Sequence, residues 1–295
     1  MRKTIGFIIC AIWLSTPGLS QATNLRLETA DLVVSNSTGD LSEERLRELS
    51  TLAQETLNKI LALWSVDSGI ERFGKIRVIF DTPRRDIYSS LTTWTREEGK
   101  LRRIVHVYGA RESPQMMAHK LTSAVFPQKD KLIRNVMGIV TEMQIGNPAS
   151  FPMCGFASDD WVSAFLAAKS YIPLSSLGPE HESWGMRDRG GGQLSIYDEA
   201  RQHKAYSEAG SFGSYLFQVY GVNKIKQFNR LSHDKARPSQ DAFGATMQEL
   251  EANWLAALKA SEKTREPNVS LVAKFIDRNP SRACAEAQKL VASKR

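Results

Sequence analysis

The chain has 295 residues, 42% of them apolar and 24% charged, and its 39 basic against 32 acidic side chains give a formal net charge of +7. No internal repeat or long low-complexity tract interrupts it, and beyond its first residues no segment is apolar for long enough to span a bilayer. The basic excess is scattered in clusters such as Arg84-Arg85 and Lys100-Leu101-Arg102-Arg103, which reads as a solvated basic surface rather than a nucleic-acid site.

Residues 1–22 have the three parts of an export signal: a basic start at Arg2 and Lys3, an apolar run from Ile5 to Leu14, and the small-x-small site Ser20-Gln21-Ala22. The expected mature protein is exported, periplasmic or secreted, and losing Arg2 and Lys3 lowers its charge to about +5. Cys10 is a poor lipoprotein cysteine, because Phe7-Ile8-Ile9 lacks the small residues that processing needs. The remaining length, about 273 residues, suffices for one large domain or two small ones.

Residues 25–35 (LRLETADLVVS) alternate as a strand does, and 36–40 read as a polar turn. Residues 41–64 carry Leu46, Leu49, Leu52, Leu57, Ile60, Leu61 and Leu63 at helical spacing, with Ser42, Glu43 and Glu44 suited to the N-terminal end. Compact strands are expected at 75–80 (KIRVIF), stopped by Asp81-Thr82-Pro83, and at 103–108 (RIVHVY), stopped by Gly109. After Ser113-Pro114, an N-cap followed by a first-turn proline, helices are expected over 114–126, 130–144, 159–169, 206–220, 222–231 and 246–260. Residues 183–195, with Gly190-Gly191-Gly192, read as a loop or mobile flap. The fold class is α+β: a small mixed α/β lobe over 23–112, a mainly helical lobe over 113–262, and a C-terminal helical tail over 263–295.

One helix carries a chemical signature. A zinc peptidase helix of the form H-E-x-x-H holds zinc with two His four residues apart, and its Glu polarises the attacking water. Here His119 stands at the first position, Lys120 where the general base belongs, and Ser123 where the second ligand belongs. Downstream come Ile172-Pro173-Leu174-Ser175-Ser176-Leu177, then Tyr206-Ser207-Glu208-Ala209-Gly210-Ser211-Phe212-Gly213-Ser214-Tyr215-Leu216, then Tyr220-Gly221, and a late Leu250-Glu251-Ala252-Asn253-Trp254. This ordered set resembles the peptidase MA-like branch of the zincins, the gluzincin metallopeptidases, over about 25–260. The resemblance implies a zincin-like fold: an α/β lobe supplying an edge strand, the zinc helix, and a second helix with a glutamate ligand. That glutamate position falls on Met137-Gly138 in one alignment and on Glu142 in the other, which is slightly favoured. His203 and Tyr206 lie where the family stabilises an oxyanion; otherwise they are a loop histidine and a half-buried helix-start tyrosine.

The departures fall on the chemistry. His119 and Glu142, with Ser123 as a poor neutral oxygen, supply at best two good ligands where catalytic zinc takes three. Lys120 would repel a divalent ion and cannot accept a proton from water while charged. The resulting expectation is an exported, catalytically inactive peptidase-like protein that uses His119, Glu142 and Tyr206 in binding a peptide or anionic envelope ligand, without cofactor. The alternatives are a metallopeptidase or other hydrolase with rearranged ligands, zinc included, and a structural envelope component. A groove for an extended peptide is expected beside strand 103–108, and Lys120 is expected to pair with Glu142. Cys154 and Cys284 stand open to one disulfide in an oxidising compartment. A thiol nucleophile at Cys154 would need His119 or His203 as its base, and a structural cysteine is favoured. Met116, Met117, Met137 and Met143 fall at core spacings.

Overall fold

The computed structural model of the protein describes residues 25–37, 39, 41–81, 90–108, 117–190 and 193–294. The export signal, Cys10, Arg84-Arg85, the strand-stopping residues 82–83 and 109, and Ser113-Pro114 lie outside them. Strands β1 (Arg26–Glu28), β2 (Leu32–Asn36), β3 (Ile76–Asp81), β4 (Leu91–Glu97) and β5 (Lys100–Tyr108) form one sheet in the order β1-β2-β3-β5-β4. The inner pairs β2·β3 and β3·β5 are parallel, and the edges β1 and β4 run antiparallel to their neighbours. Helix α1 (Glu43–Trp64) connects β2 to β3, as a parallel crossover requires.

Register sets the core. Leu32 lies opposite Ile76, Val34 opposite Val78, and Val78 opposite Val105, so these side chains share one face and are buried. Leu46, Leu49, Ala53, Leu57, Ile60 and Trp64 of α1 are buried in the same cluster. Ser42 caps α1 by accepting from the Arg45 amide. The single strand expected over 25–35 is two strands, because Thr29 accepts the Leu32 amide on its hydroxyl and closes a turn that Gln54 of α1 clamps at Thr29 and Asp31. Strand 103–108 extends back to Lys100 and is not an edge. β4, which the mixed polarity of LTTWTRE conceals, pairs with it through a tight turn at Glu98 and Gly99 (φ 52° and 76°).

The helical part begins, after a short α2 (Ile70–Phe73), with α3 (Met117–Val125), α4 (Lys131–Ile145) and α5 (Ser158–Ala167). The helices expected at 206–220 and 222–231 are both present and break at Gly221, whose φ of 78° and ψ of 169° are non-helical; the first begins earlier, at Glu199 behind the Asp198 cap, and together they form α6 (Glu199–Leu231). Residues 183–195 are not a simple loop: β6 (Met186–Gly190) and β7 (Gln193–Ile196) pair antiparallel there. The chain continues through α7 (Ser239–Phe243), α8 (Met247–Ala260), α9 (Glu262–Arg278) and α10 (Ala283–Ser293). Thr246 and Glu249 form a capping box on α8. The protein is thus α+β, with its sheet in the N-terminal part and a mainly helical remainder.

The late motifs are physically joined. Glu208 of α6 accepts the Ile172 amide, Glu251 of α8 accepts the Leu174 amide and the Tyr171 hydroxyl, and Trp254 donates to Ser211. The apolar connection 171–177 is therefore held against α6 and α8 by buried polar ties, each costly to leave unpaired. A second, smaller core gathers Cys154, Trp161, Ala164 and Phe165 with Val272, Phe275, Ala283 and Ala287 of the tail. A Cys154–Cys284 disulfide spanning 130 residues closes it. Replacing both cysteines by serine is expected to lower unfolding stability by about 2–5 kcal/mol, read from urea unfolding. An unchanged midpoint would show that the tail docks without help from the bond.

Candidate functional site

α4 packs between α3 and α6 and is buried along most of its length, including Lys131, Asn135 and Glu142. α3 lies against α4 and against the β4·β5 end of the sheet. Thr92 of β4 donates to the Lys120 carbonyl at 2.8 Å, so the outer strand is tied to the helix that carries His119. The approach of α3 to α4 is set at Gly138. An ideal Cβ there would stand 2.7 Å from His119 Cδ2, so the imidazole lies directly on the glycine backbone.

His119 is 2% exposed and both of its ring nitrogens are committed to protein. Nε2 lies 3.2 Å from Asn135 Oδ1, an acceptor, and the tautomer that satisfies this contact is the one with its proton on Nε2. Nδ1 lies 3.5 Å from Glu142 Oε2, longer than a good hydrogen bond, and both Glu142 oxygens otherwise lack partners. Burial pushes the Glu142 carboxyl up to about 8, partly offset by Lys120, so at neutral pH it is protonated and can direct its proton to Nδ1. Burial, then Lys120, Lys131 and Arg134, hold the imidazole well below its ordinary range, hence neutral. The Ser123 hydroxyl donates to the carbonyl of His119, inside its own helix.

Glu142, and not Met137, faces His119; Met137 belongs to the apolar core. Lys120 makes no ion pair with Glu142, contrary to the pairing expected from sequence; burial brings its amine down to about 8, and Glu142 acts on it only through space. Tyr206 joins the group, its ring 6.0 Å from that of His119 and stacked on it. His203 does not. It is a helical residue of α6 rather than a loop histidine, its Nε2 bonded to the Pro152 carbonyl at 3.1 Å and its ring packed on Trp161. Phe151 stands between it and Tyr206.

Sequence reasoning missed the groups that decide the charge of this place. Lys131 is 1% exposed and sits 3.1 Å from His181 Nδ1 and 3.4 Å from the Tyr206 hydroxyl. Its Nζ also lies over the Trp184 and Tyr206 rings, at 5.4 and 5.3 Å. Arg134 lies over Trp94 of β4. Lys120, Lys131, Arg134, Asn135, His181 and Tyr206 all border one cavity of about 10 Å³ beside His119. In a helix as apolar as LIRNVMGIV, a lysine and an arginine read as a solvated face, and only the packing of α3, β4 and α6 around them shows otherwise.

The implied zinc does not fit these residues. His119 and Glu142 supply two ligand groups where catalytic zinc takes three, His119 Nε2 is turned to Asn135, and the adjoining cavity is bordered by Lys120, Lys131 and Arg134, basic groups that oppose a divalent ion. Among the described residues, the one grouping of three His, Cys, Asp or Glu ligand atoms close enough to share an ion is Cys154, His203 and Cys284, whose sulfurs are bonded to each other. Comparison with known proteins returned no match to a family model, to a curated protein or to a solved structure.

Two outcomes test this geometry. Gly138→Ala is expected to cost about 1–3 kcal/mol by driving a methyl into the imidazole. In a His119→Ala background the loss should shrink, and equal losses in both would show that the ring does not set the helix spacing. Glu142, protonated up to about 8 when folded but only to its ordinary 4.5 when unfolded, lends stability in acid that is lost as pH rises between those values. Lys120 acts oppositely, costing stability below about 8 and relaxing toward its ordinary 10.5. Glu142→Gln should therefore flatten the fall in melting temperature between about pH 5 and 8. A profile identical to that of the unmutated protein would refute the assignment.

Proposed function

We propose that this is an exported, catalytically inactive protein of gluzincin-like shape that binds a peptide or anionic envelope ligand. The observation that carries the reading is the sign of the pocket. The amines of Lys120 and Lys131 and the guanidinium of Arg134 border the space beside His119, where metal-assisted hydrolysis needs a cation and a proton acceptor. Lys120 at the general-base position is 6% exposed and points its charge toward a site already rich in cations.

The binding surface we assign is the outer edge of β4. β4 ends the sheet, and among the described residues no strand pairs with its free side. It lies beside α3, through Thr92 and Lys120, and supplies backbone donors and acceptors for an extended peptide by strand addition. This replaces the expectation of a groove along 103–108, since β5 is paired on both sides. No helix among the described residues is long and apolar enough to cross a membrane, which accords with a ligand met outside the bilayer.

Titrating zinc calorimetrically into the chain from residue 23 onward tests the inactive half of this reading. The expected result is no stoichiometric tight binding and no hydrolysis of a mixed peptide substrate. Tight one-to-one zinc binding that His119→Ala abolishes, accompanied by peptide hydrolysis, would establish the metallopeptidase alternative instead. For the binding half, a bound peptide should slow amide exchange in β4 more than in β1. Equal protection of both edges would remove the assignment.

A further inference from the structure

The cation cluster has a feature that the loss of zinc chemistry does not explain. Lys131 is buried, and its polar partners are all neutral: His181 Nδ1, the Tyr206 hydroxyl and the sulfur of Met186 at 3.7 Å. Among the described residues no carboxylate comes within ion-pair distance of Lys120, Lys131 or Arg134. Glu142, the acid that acts on Lys120 through space, is turned to His119. A second acid on α4's own cap, Asp130, is taken by Arg237 at 2.8 Å. Buried charges without counter-charges are strongly disfavoured, and burial, then Arg134 and Lys120, accordingly hold the Lys131 amine well below its ordinary range.

A second, independent observation points to a ligand. Asn135 is 1% exposed and borders the same cavity. Its Oδ1 faces His119 Nε2 at 3.2 Å, and its Nδ2 has no hydrogen-bond partner. The cavity is therefore lined by an orphan donor and by basic side chains, the Tyr206 hydroxyl being already given to the Met186 sulfur at 3.8 Å. The Asn135 Nδ2–H and the Lys120 ammonium ask for an acceptor, and the strongest acceptor beside basic groups is an anion.

Size limits which anion. The cavity of about 10 Å³ holds a single small occupant. A sulfate or phosphate, with four oxygens around its central atom, is too large for it, and a metal cation is repelled by its walls. A water molecule matches the space but leaves the charge uncompensated.

We propose that this cavity is a binding site for a single monatomic anion of the chloride class, held by the Lys120 and Lys131 ammonium groups and the Asn135 Nδ2–H. The anion takes the place of the missing carboxylates, keeps both lysines charged, and joins α3, α4 and the hairpin region around His181 across one centre. The site makes the protein's stability depend on halide concentration, independently of any ligand at β4.

Bromide is the probe. In the purified chain from residue 23 onward, replacing methanesulfonate by bromide at constant ionic strength is expected to raise the melting temperature saturably. Crystals soaked in bromide should show an anomalous peak in contact with Lys120, Lys131 and Asn135. Lys131→Met should raise the bromide dissociation constant roughly tenfold or more, as for loss of a charged hydrogen bond, while the exposed Lys259→Met should not. Absence of the anomalous peak in the unmutated protein overturns the proposal whatever the variants do, so a failure of Lys131→Met to fold does not shield it. A rise in melting temperature that Lys131→Met leaves intact, or that methanesulfonate reproduces, also overturns it. Zinc calorimetry and β4 exchange read the preceding proposal separately, so each can fail alone.

Discussion

The contact on which this architecture turns is the imidazole of His119 lying flat on the backbone at Gly138. It brings α3 and α4 close enough for one ring to touch three groups of α4: the glycine beneath it, Asn135 at one nitrogen and Glu142 at the other. Asn135 precedes Gly138 by three residues and Glu142 follows it by four, so all three share one helix face. Two buried polar side chains, Asn135 and Glu142, on this face of the helix would be a liability anywhere else. Here each finds its use in positioning the same ring, and only the leftover atoms, Asn135 Nδ2 and the Glu142 oxygens, remain short of partners.

Charge is the second constraint, and it follows from the first. With His119 neutral and Glu142 taking a proton, the centre supplies almost no negative charge to the cations around it. Lys120 enters from α3, Lys131 and Arg134 from α4; Lys131 lies over Tyr206 of α6 and Arg134 over Trp94 of β4, and among the described residues none of the three pairs with a carboxylate. In a hydrolytic metal site the protein contributes negative ligands to a positive ion. In this one it contributes basic groups, which is the feature that supports the proposed reading of recognition without bond breaking.

Much of this fold is legible in the sequence where periodicity is strong. The leucine pattern of α1, the apolar run of α4 and the aromatic spacing of the 206–220 segment each report a buried helical stripe, and the structure has helices there. The 172–177, 208 and 251 motif residues also prove to be neighbours, because their carboxylates satisfy the amides of an irregular connection. What stays hidden are the features that only tertiary packing creates. β4 escapes because LTTWTRE shows no clean alternation, and the turn that ends β1 escapes because its decisive bonds come from Gln54, far along the chain. The lysine and arginine of α4 read as solvent-facing, since nothing local announces that three other elements will enclose them. His203 lies three residues from Tyr206, yet its ring turns toward Trp161 and the disulfide rather than toward His119.

The Cys154–Cys284 bond and the helices it secures have a consequence for how the chain matures. Trp161, Phe165 and their neighbours on α5 find half of their packing partners in Val272, Phe275, Ala283 and Ala287. Those partners leave the ribosome more than a hundred residues later, so for much of its synthesis the nascent polypeptide carries an aromatic surface with nothing to rest on. Such surfaces invite association between chains. A holding chaperone that shields residues 151–165 until 272–287 arrive, followed by an oxidase that seals the pair, is the assistance this topology calls for.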